Sequence, residues 1–154
     1  MGEPVSKQEL LEALKNDPVE FKRLRTEDPR ADLDLRGADL AGCDLRGVNL
    51  AGAMLKDSCL RGSNCTGANL RFADLTDADV RDVELGEANL HQSVLAGADL
   101  EGSNLGDIES RTRICLHPDV FRNVKWGREE LEMMLRIINE NQNWTVKYEI
   151  VPKE

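Results

Sequence analysis

Aromatic residues make up only 4% of this 154-residue chain, so its core is not built from stacked rings. No apolar run approaches the roughly 18 residues of a membrane-spanning helix. The start also lacks the positive, apolar and small-residue succession of a secretory signal. The four cysteines, Cys43, Cys59, Cys65 and Cys115, have no CxxC or other metal-ligand spacing. They read as free thiols in a reducing cytoplasm, without a disulfide. A basic stripe of the kind that binds nucleic acid directly is missing.

The usual marks of site chemistry are missing too. The two histidines, His91 and His117, have no Ser, Cys or Asp placed by the pattern to complete a triad. There is no P-loop and no dinucleotide glycine motif. Asp39, Asp79 and Asp99 fall in one register, but Cys59 interrupts them and the calcium-binding GGxGxD repeat is absent. The expectation is a protein without catalytic residues, cofactor or metal, and not an enzyme.

What is present is a period of five. From Leu33 to Asp107 the chain reads LDLRG ADLAG CDLRG VNLAG AMLKD SCLRG SNCTG ANLRF ADLTD ADVRD VELGE ANLHQ SVLAG ADLEG SNLGD. The third place of each unit is Leu except at Cys65 and Val80, and the first is mostly small, as at Ala38, Cys43, Ala53, Ser58 and Ser63. The second place is usually Asp or Asn. An α-helix advances ~500° in five residues, so the leucines would spiral round its surface. A continuous strand would throw every second Leu to the opposite face. A chain that bends once per unit keeps the first and third places inside and the second outside. That is a β-solenoid.

The fifth place is the corner. Gly stands there at Gly37, Gly42, Gly47, Gly52, Gly62, Gly67, Gly97 and Gly102, as a type II turn prefers. Phe72, Asp77, Asp82, Glu87 and Gln92 interrupt that series, and the expectation is that these corners use another turn, such as type I. Asn49, Asn69 and Asn89 share a register and are expected to stack outward as an amide ladder.

Units such as ADLAG, ANLRF, ADLTD and ADLEG resemble the A(D/N)LXX unit of the pentapeptide repeat proteins. The resemblance covers about half the chain. It implies a right-handed quadrilateral β-helix with twenty residues per coil, here about four coils. Some members of that family, those conferring quinolone resistance among them, resemble DNA in shape and charge and act on DNA gyrase.

Three segments are expected. Residues 1–30 read as an N-terminal helical cap: Ser6 to Glu9 fits a capping box, and Asp17-Pro18 opens a second helix. Leu10, Leu11, Leu14, Phe21 and Leu24 supply the apolar faces. Residues 31–109 form the β-helix. Residues 110–154 read as an α/β cap, with a short strand at 111–116, a helix at about 128–140 and a strand at about 144–151. The last strand pairs with the first or with a second copy, giving a monomer or a homodimer through this cap.

Charge is uneven. The net charge is −9, and the repeats carry 13 acids against 6 bases. Asp74, Asp77, Asp79, Asp82, Glu84 and Glu87 cluster around the single base Arg81, in the interval that loses its corner glycines. They are the candidate partner-binding patch. The leading functional expectation is a non-catalytic protein-interaction or scaffold module with an unknown protein partner and no membrane or direct nucleic-acid contact. The alternative is an acidic DNA mimic that binds DNA gyrase or topoisomerase. Arg36, Arg46, Lys56, Arg61, Arg71 and Arg81 break up the negative surface and argue against the mimic.

Overall fold

A computed structural model describes residues 5–27, 33–104, 124–129 and 131–132. Two helices open it. α1 (Lys7–Asn16) begins at a complete capping box, with Ser6 accepting from the Glu9 N–H and Glu9 accepting from the Ser6 N–H. α2 (Pro18–Glu27) begins at Asp17, whose Oδ1 accepts from the N–H groups of Val19 and Glu20 at 3.1 and 3.0 Å. These bonds satisfy amides that the first turn of a helix leaves without partners.

The repeats then wind into a four-sided coil. Parallel pairing joins residues twenty apart, from Asp34 with Met54 through Asn49 with Asn69 to Glu84 with Asn104. Each side is so short that pairing is one residue wide, and a corner follows. First and third places face inward. Leu40, Leu45, Leu50 and Leu55 are fully buried, and Cys65 stacks between the Leu45 and Leu85 positions with no exposed surface. First-place serines satisfy their own hydroxyls inside: Ser58, Ser93 and Ser103 donate to the carbonyls of Leu55, Leu90 and Leu100 at 2.6–2.8 Å. Cys43, at an inward first place, is only partly buried against this core.

Each unit has five backbone N–H groups, and their destinations explain the pattern. The first closes the turn, as Ala38 does to the Leu35 carbonyl at 3.0 Å. The second reaches the preceding coil, Met54 to Leu33 at 2.9 Å. The third and fifth reach the next coil, Leu35 to Met54 and Gly37 to Lys56, both at 2.9 Å. From Ala53 to Leu85 the fourth, joined there only by the first-place Val83, is the place that regularly lacks a backbone acceptor. The second-place side chain provides it: Asp34 Oδ1 accepts from the Arg36 N–H at 3.2 Å, and Asn64 Oδ1 from the Thr66 N–H at 3.0 Å. All ten Asp or Asn residues at second places between Asp34 and Asp99 make this bond. Asp and Asn recur there because their short side chains reach the amide two residues on.

The corner expectation is corrected. Phe72 has φ 59°, and Asp77, Asp82, Glu87 and Gln92 all have φ 57°, as positive as the glycine corners. Asp57 joins them at φ 58°. Type I and type II turns differ by a flip of their central peptide. Here that peptide carries the fifth-place N–H and the fourth-place carbonyl, the two groups that bond between coils. Phe72 N–H donates to His91 at 3.0 Å, and Asp77 N–H to Ala96 at 2.9 Å. A type I corner would turn these groups off the ladder. Left-handed strain of ~1–2 kcal/mol is comparable to two hydrogen bonds at ~0.5–1.5 kcal/mol each. Leaving the groups unsatisfied adds a further desolvation penalty, so the ladder wins.

At the N-terminal end, Leu10, Ala13, Leu14, Phe21 and Leu24 are buried in the same cluster as the first-coil leucines. Lys7 fixes α1 there, donating to the Arg36 carbonyl at 3.1 Å and lying 3.6 Å from Asp34. At the other end, Lys125 extends the ladder: its N–H donates to Ala98 and its carbonyl accepts from Leu100, both at 2.8 Å. Val124 and Trp126 pack against the core beside it. Residues 128–129 and 131–132 are helical, and the Leu131 N–H donates to Gly127 at 3.1 Å. The expected strand at 111–116, the rest of the helix to about 140, the strand at about 144–151 and Cys115 lie outside the described residues.

Candidate interaction surface

The outer surface is made of second, fourth and fifth places, and much of it is occupied in holding the coil. Where a fourth-place Arg follows a second-place Asp, the two close into a bidentate pair. Arg36 Nε and Nη2 reach Asp34 at 2.9 and 2.8 Å, and Arg46 reaches Asp44 at 2.8 and 2.6 Å. The guanidinium and backbone bonds hold the Asp34 carboxyl well below the usual carboxylate range and lower Asp44 to about 2. Asn69 Nδ2 donates to Asn49 Oδ1 at 2.9 Å, one rung of the expected amide ladder. Among the described residues, no group of three or more His, Cys, Asp or Glu could hold a metal ion.

The six acids proposed as a patch do not form one. They girdle the third coil, residues 73–92. Asp74, Asp79 and Glu84 stand on three successive sides, as their separate ladders show, and Asp77, Asp82 and Glu87 stand at the corners after them. The three on the sides are engaged. Asp74 accepts from the Thr76 N–H at 3.0 Å, and Glu84 from Asn104 Nδ2 at 2.8 Å. Asp79 is bound by Arg81 at 2.6 Å and Arg61 at 3.1 Å. Asp99 continues that side, 3.8 Å from both Arg81 and Lys125. Asp77 and Asp82 differ. Among the described residues neither has an ion-pair partner, both are exposed, and their carboxylates lie over Gly97 and Gly102 of the next coil.

One exposed feature was not among the sequence candidates. The Phe72 side chain is 53% exposed at its corner. The Arg71 guanidinium lies 5.2 Å from its ring centre, and the His91 ring meets it edge-on at 6.3 Å. The sequence signal was a large aromatic residue where the repeat usually has Gly. Buried Cys65 is chemically quiet, because burial pushes its thiol up to about 11.

The five-residue repeat is that of a known family. The profile of the pentapeptide repeats matches residues 31–67 and 73–107, in eight copies. Among solved structures, a pentapeptide repeat protein of the Arabidopsis thaliana thylakoid lumen is 25% identical, with a TM-score of 0.27; the match covers 60% of this chain and 59% of that one. The pentapeptide repeat protein Rfr23 from the cyanobacterium Cyanothece 51142 is 24% identical, with a TM-score of 0.30 and coverage of 64% and 61%. Full-length QnrB1, a plasmid-mediated fluoroquinolone resistance protein, is 16% identical, with a TM-score of 0.36 and coverage of 69% and 64%. This chain thus spans about three-fifths of the length of these relatives. No curated protein matches it. The chain belongs to the pentapeptide repeat family, and its repeats wind into a β-helix.

Proposed function

We propose that this coil is a non-catalytic protein-interaction or scaffold module. The observation that carries the reading is the division of labour on its surface. Second-place side chains are bound to the coil's own backbone and arginines, which makes the frame rigid, while the corners project side chains that the frame does not use. A preorganised surface of this kind lowers the ordering cost of association. In this reading the helical pair and residues 110–154 close the ends of the coil, and the protein works in the cytoplasm as a monomer or as a homodimer through its C-terminal segment. Affinity purification from the source cells should recover a specific protein partner. Binding should weaken when the corner acids Asp77 and Asp82 are changed to Asn, whereas Asp79→Asn, which removes a frame contact, should act on stability. Turnover of a substrate traced to this chain would overturn the reading.

The excess of acids over bases in the repeats, 13 against 6, favours a second reading as an acidic mimic of DNA that binds gyrase or topoisomerase. The pairing of Arg36, Arg46 and Arg81 with the acids beside them weakens that mimicry. A supercoiling assay with purified gyrase, with and without quinolone, separates the two. No effect at micromolar protein removes the mimic.

A further inference from the structure

Three residues on one edge of the coil are each worse for the fold than the residue the repeat usually places there. Phe72 holds φ 59°, strained for a bulky side chain, yet its ring stays 53% exposed. Gly would adopt that backbone without strain. On the adjoining side Met54 and Val94 replace the Asp or Asn of the second place. Among the described residues, the Lys56 and Ala96 N–H groups consequently lack the side-chain acceptor that the ten Asp and Asn second places supply. Met54, Asp74 and Val94 share one ladder, and Val94 is 40% exposed. Five other non-glycine corners hold the same φ for the sake of the ladder, so it is the large exposed ring, not the strain, that sets Phe72 apart.

The charges around these residues say what they fit. Arg71 covers one face of the Phe72 ring at 5.2 Å and His91 meets its edge. Across the Met54–Val94 side stand Asp74 and, at the far corner column, Asp57 and Asp77, against the single base Lys56. An apolar edge therefore borders a net-acidic side.

We propose that Phe72 and Val94, with the acids Asp74 and Asp77, form a docking surface for a protein segment that carries an apolar side chain close to a Lys or Arg. This deepens the interaction-module reading and rests on it. The apolar side chain seats on Phe72 and Val94, and the basic one faces Asp74 and Asp77. Aromatic anchors of this kind dominate interface energetics.

The test is selection of a displayed random-peptide library on the full chain, followed by titration of the enriched peptides. Enriched sequences should carry an aromatic or aliphatic residue within a few positions of a Lys or Arg. Their affinity for Phe72→Gly should fall by about tenfold or more, while that variant unfolds at an unchanged or higher temperature. No enrichment, or unchanged affinity for Phe72→Gly, overturns the site. A clear loss of thermal stability in Phe72→Gly shows the ring serving the fold and overturns it too. Peptides that lose binding on Asp82→Asn but not on Phe72→Gly uphold the interaction module and overturn this corner. Concentration-dependent self-association that Phe72→Gly abolishes replaces the partner segment with a second copy of the chain.

Discussion

Cys59 stands at a second place whose neighbours show what an amide would do there, so Cys59→Asn is expected to stabilise the coil. In the present chain the Arg61 N–H has no second-place oxygen to accept from it, whereas Arg71 donates to Asn69 Oδ1 at 3.3 Å. An Asn at 59 places Oδ1 at the Arg61 N–H. Its Nδ2 points back one coil, as Asn69 Nδ2 reaches Asn49 at 2.9 Å and Asn104 Nδ2 reaches Glu84 at 2.8 Å. The residue one coil back is Asp39, paired with Cys59 on the ladder. Two hydrogen bonds at ~0.5–1.5 kcal/mol each give ~1–3 kcal/mol. Ordering the new side chain removes ~0.5–1 kcal/mol. The net gain is ~0.5–2 kcal/mol, a rise in Tm of roughly 1–8 °C for a chain of this size. The reverse change, Asn69→Cys, removes the cap on Arg71 and the bond to Asn49 and should lower Tm by a similar amount. Thermal unfolding followed by circular dichroism, with urea titration for the free energy, reads both. If Cys59→Asn has no effect and Asn69→Cys is also neutral, second-place side chains do not hold the coil, and the explanation of the repeat fails.

Further outcomes follow from the same geometry. Leu60→Ala, at a centre only 1% exposed, should cost about 2.7–5 kcal/mol, measured by urea unfolding. In a variant whose other three cysteines are Ser, Cys65 should react with a thiol reagent at pH 8 only as fast as the protein opens, whereas a single thiol at Cys59 should react directly. Cys65 also makes stability sensitive to alkali: its folded pKa is raised from 9.0 to about 11, so its contribution is complete below pH 9.0 and is lost as pH rises toward 11. Asp34 and Asp44 act in the opposite sense. Their folded pKa values are depressed, so their contribution is present above about pH 4 and lost as pH falls, for Asp44 through about 2. Arg36→Gln and Arg46→Gln should flatten that acid limb.

The winding was legible because a five-residue spacing of leucines has only one way to share an interior. Helix starts at Ser6 and Asp17 were legible because capping chemistry is local. Local turn preference alone points the Phe72 corner to another turn type, because it leaves out the ladder: the peptide at that corner is committed to His91 one coil on, a partner nineteen residues away. The acids from Asp74 to Glu87 looked like a patch because they are close in sequence, but twenty residues encircle the coil, so neighbours in the chain stand on different sides. The reason for Asp and Asn at second places was not readable from spacing either. It lies in the one amide per unit that the backbone cannot satisfy, which appears only when all five are followed to their acceptors.

Residue-resolved amide hydrogen exchange tests the winding most directly. The account predicts slow exchange at first, second, third and fifth places from Ala53 to Leu85, Val83 excepted, with the four uncapped fourth-place amides among the described residues, Lys56, Arg61, Gly86 and Ala96, exchanging fast. Protection with a helical period, or fast exchange at the Leu45, Cys65 and Leu85 amides alike, would contradict it.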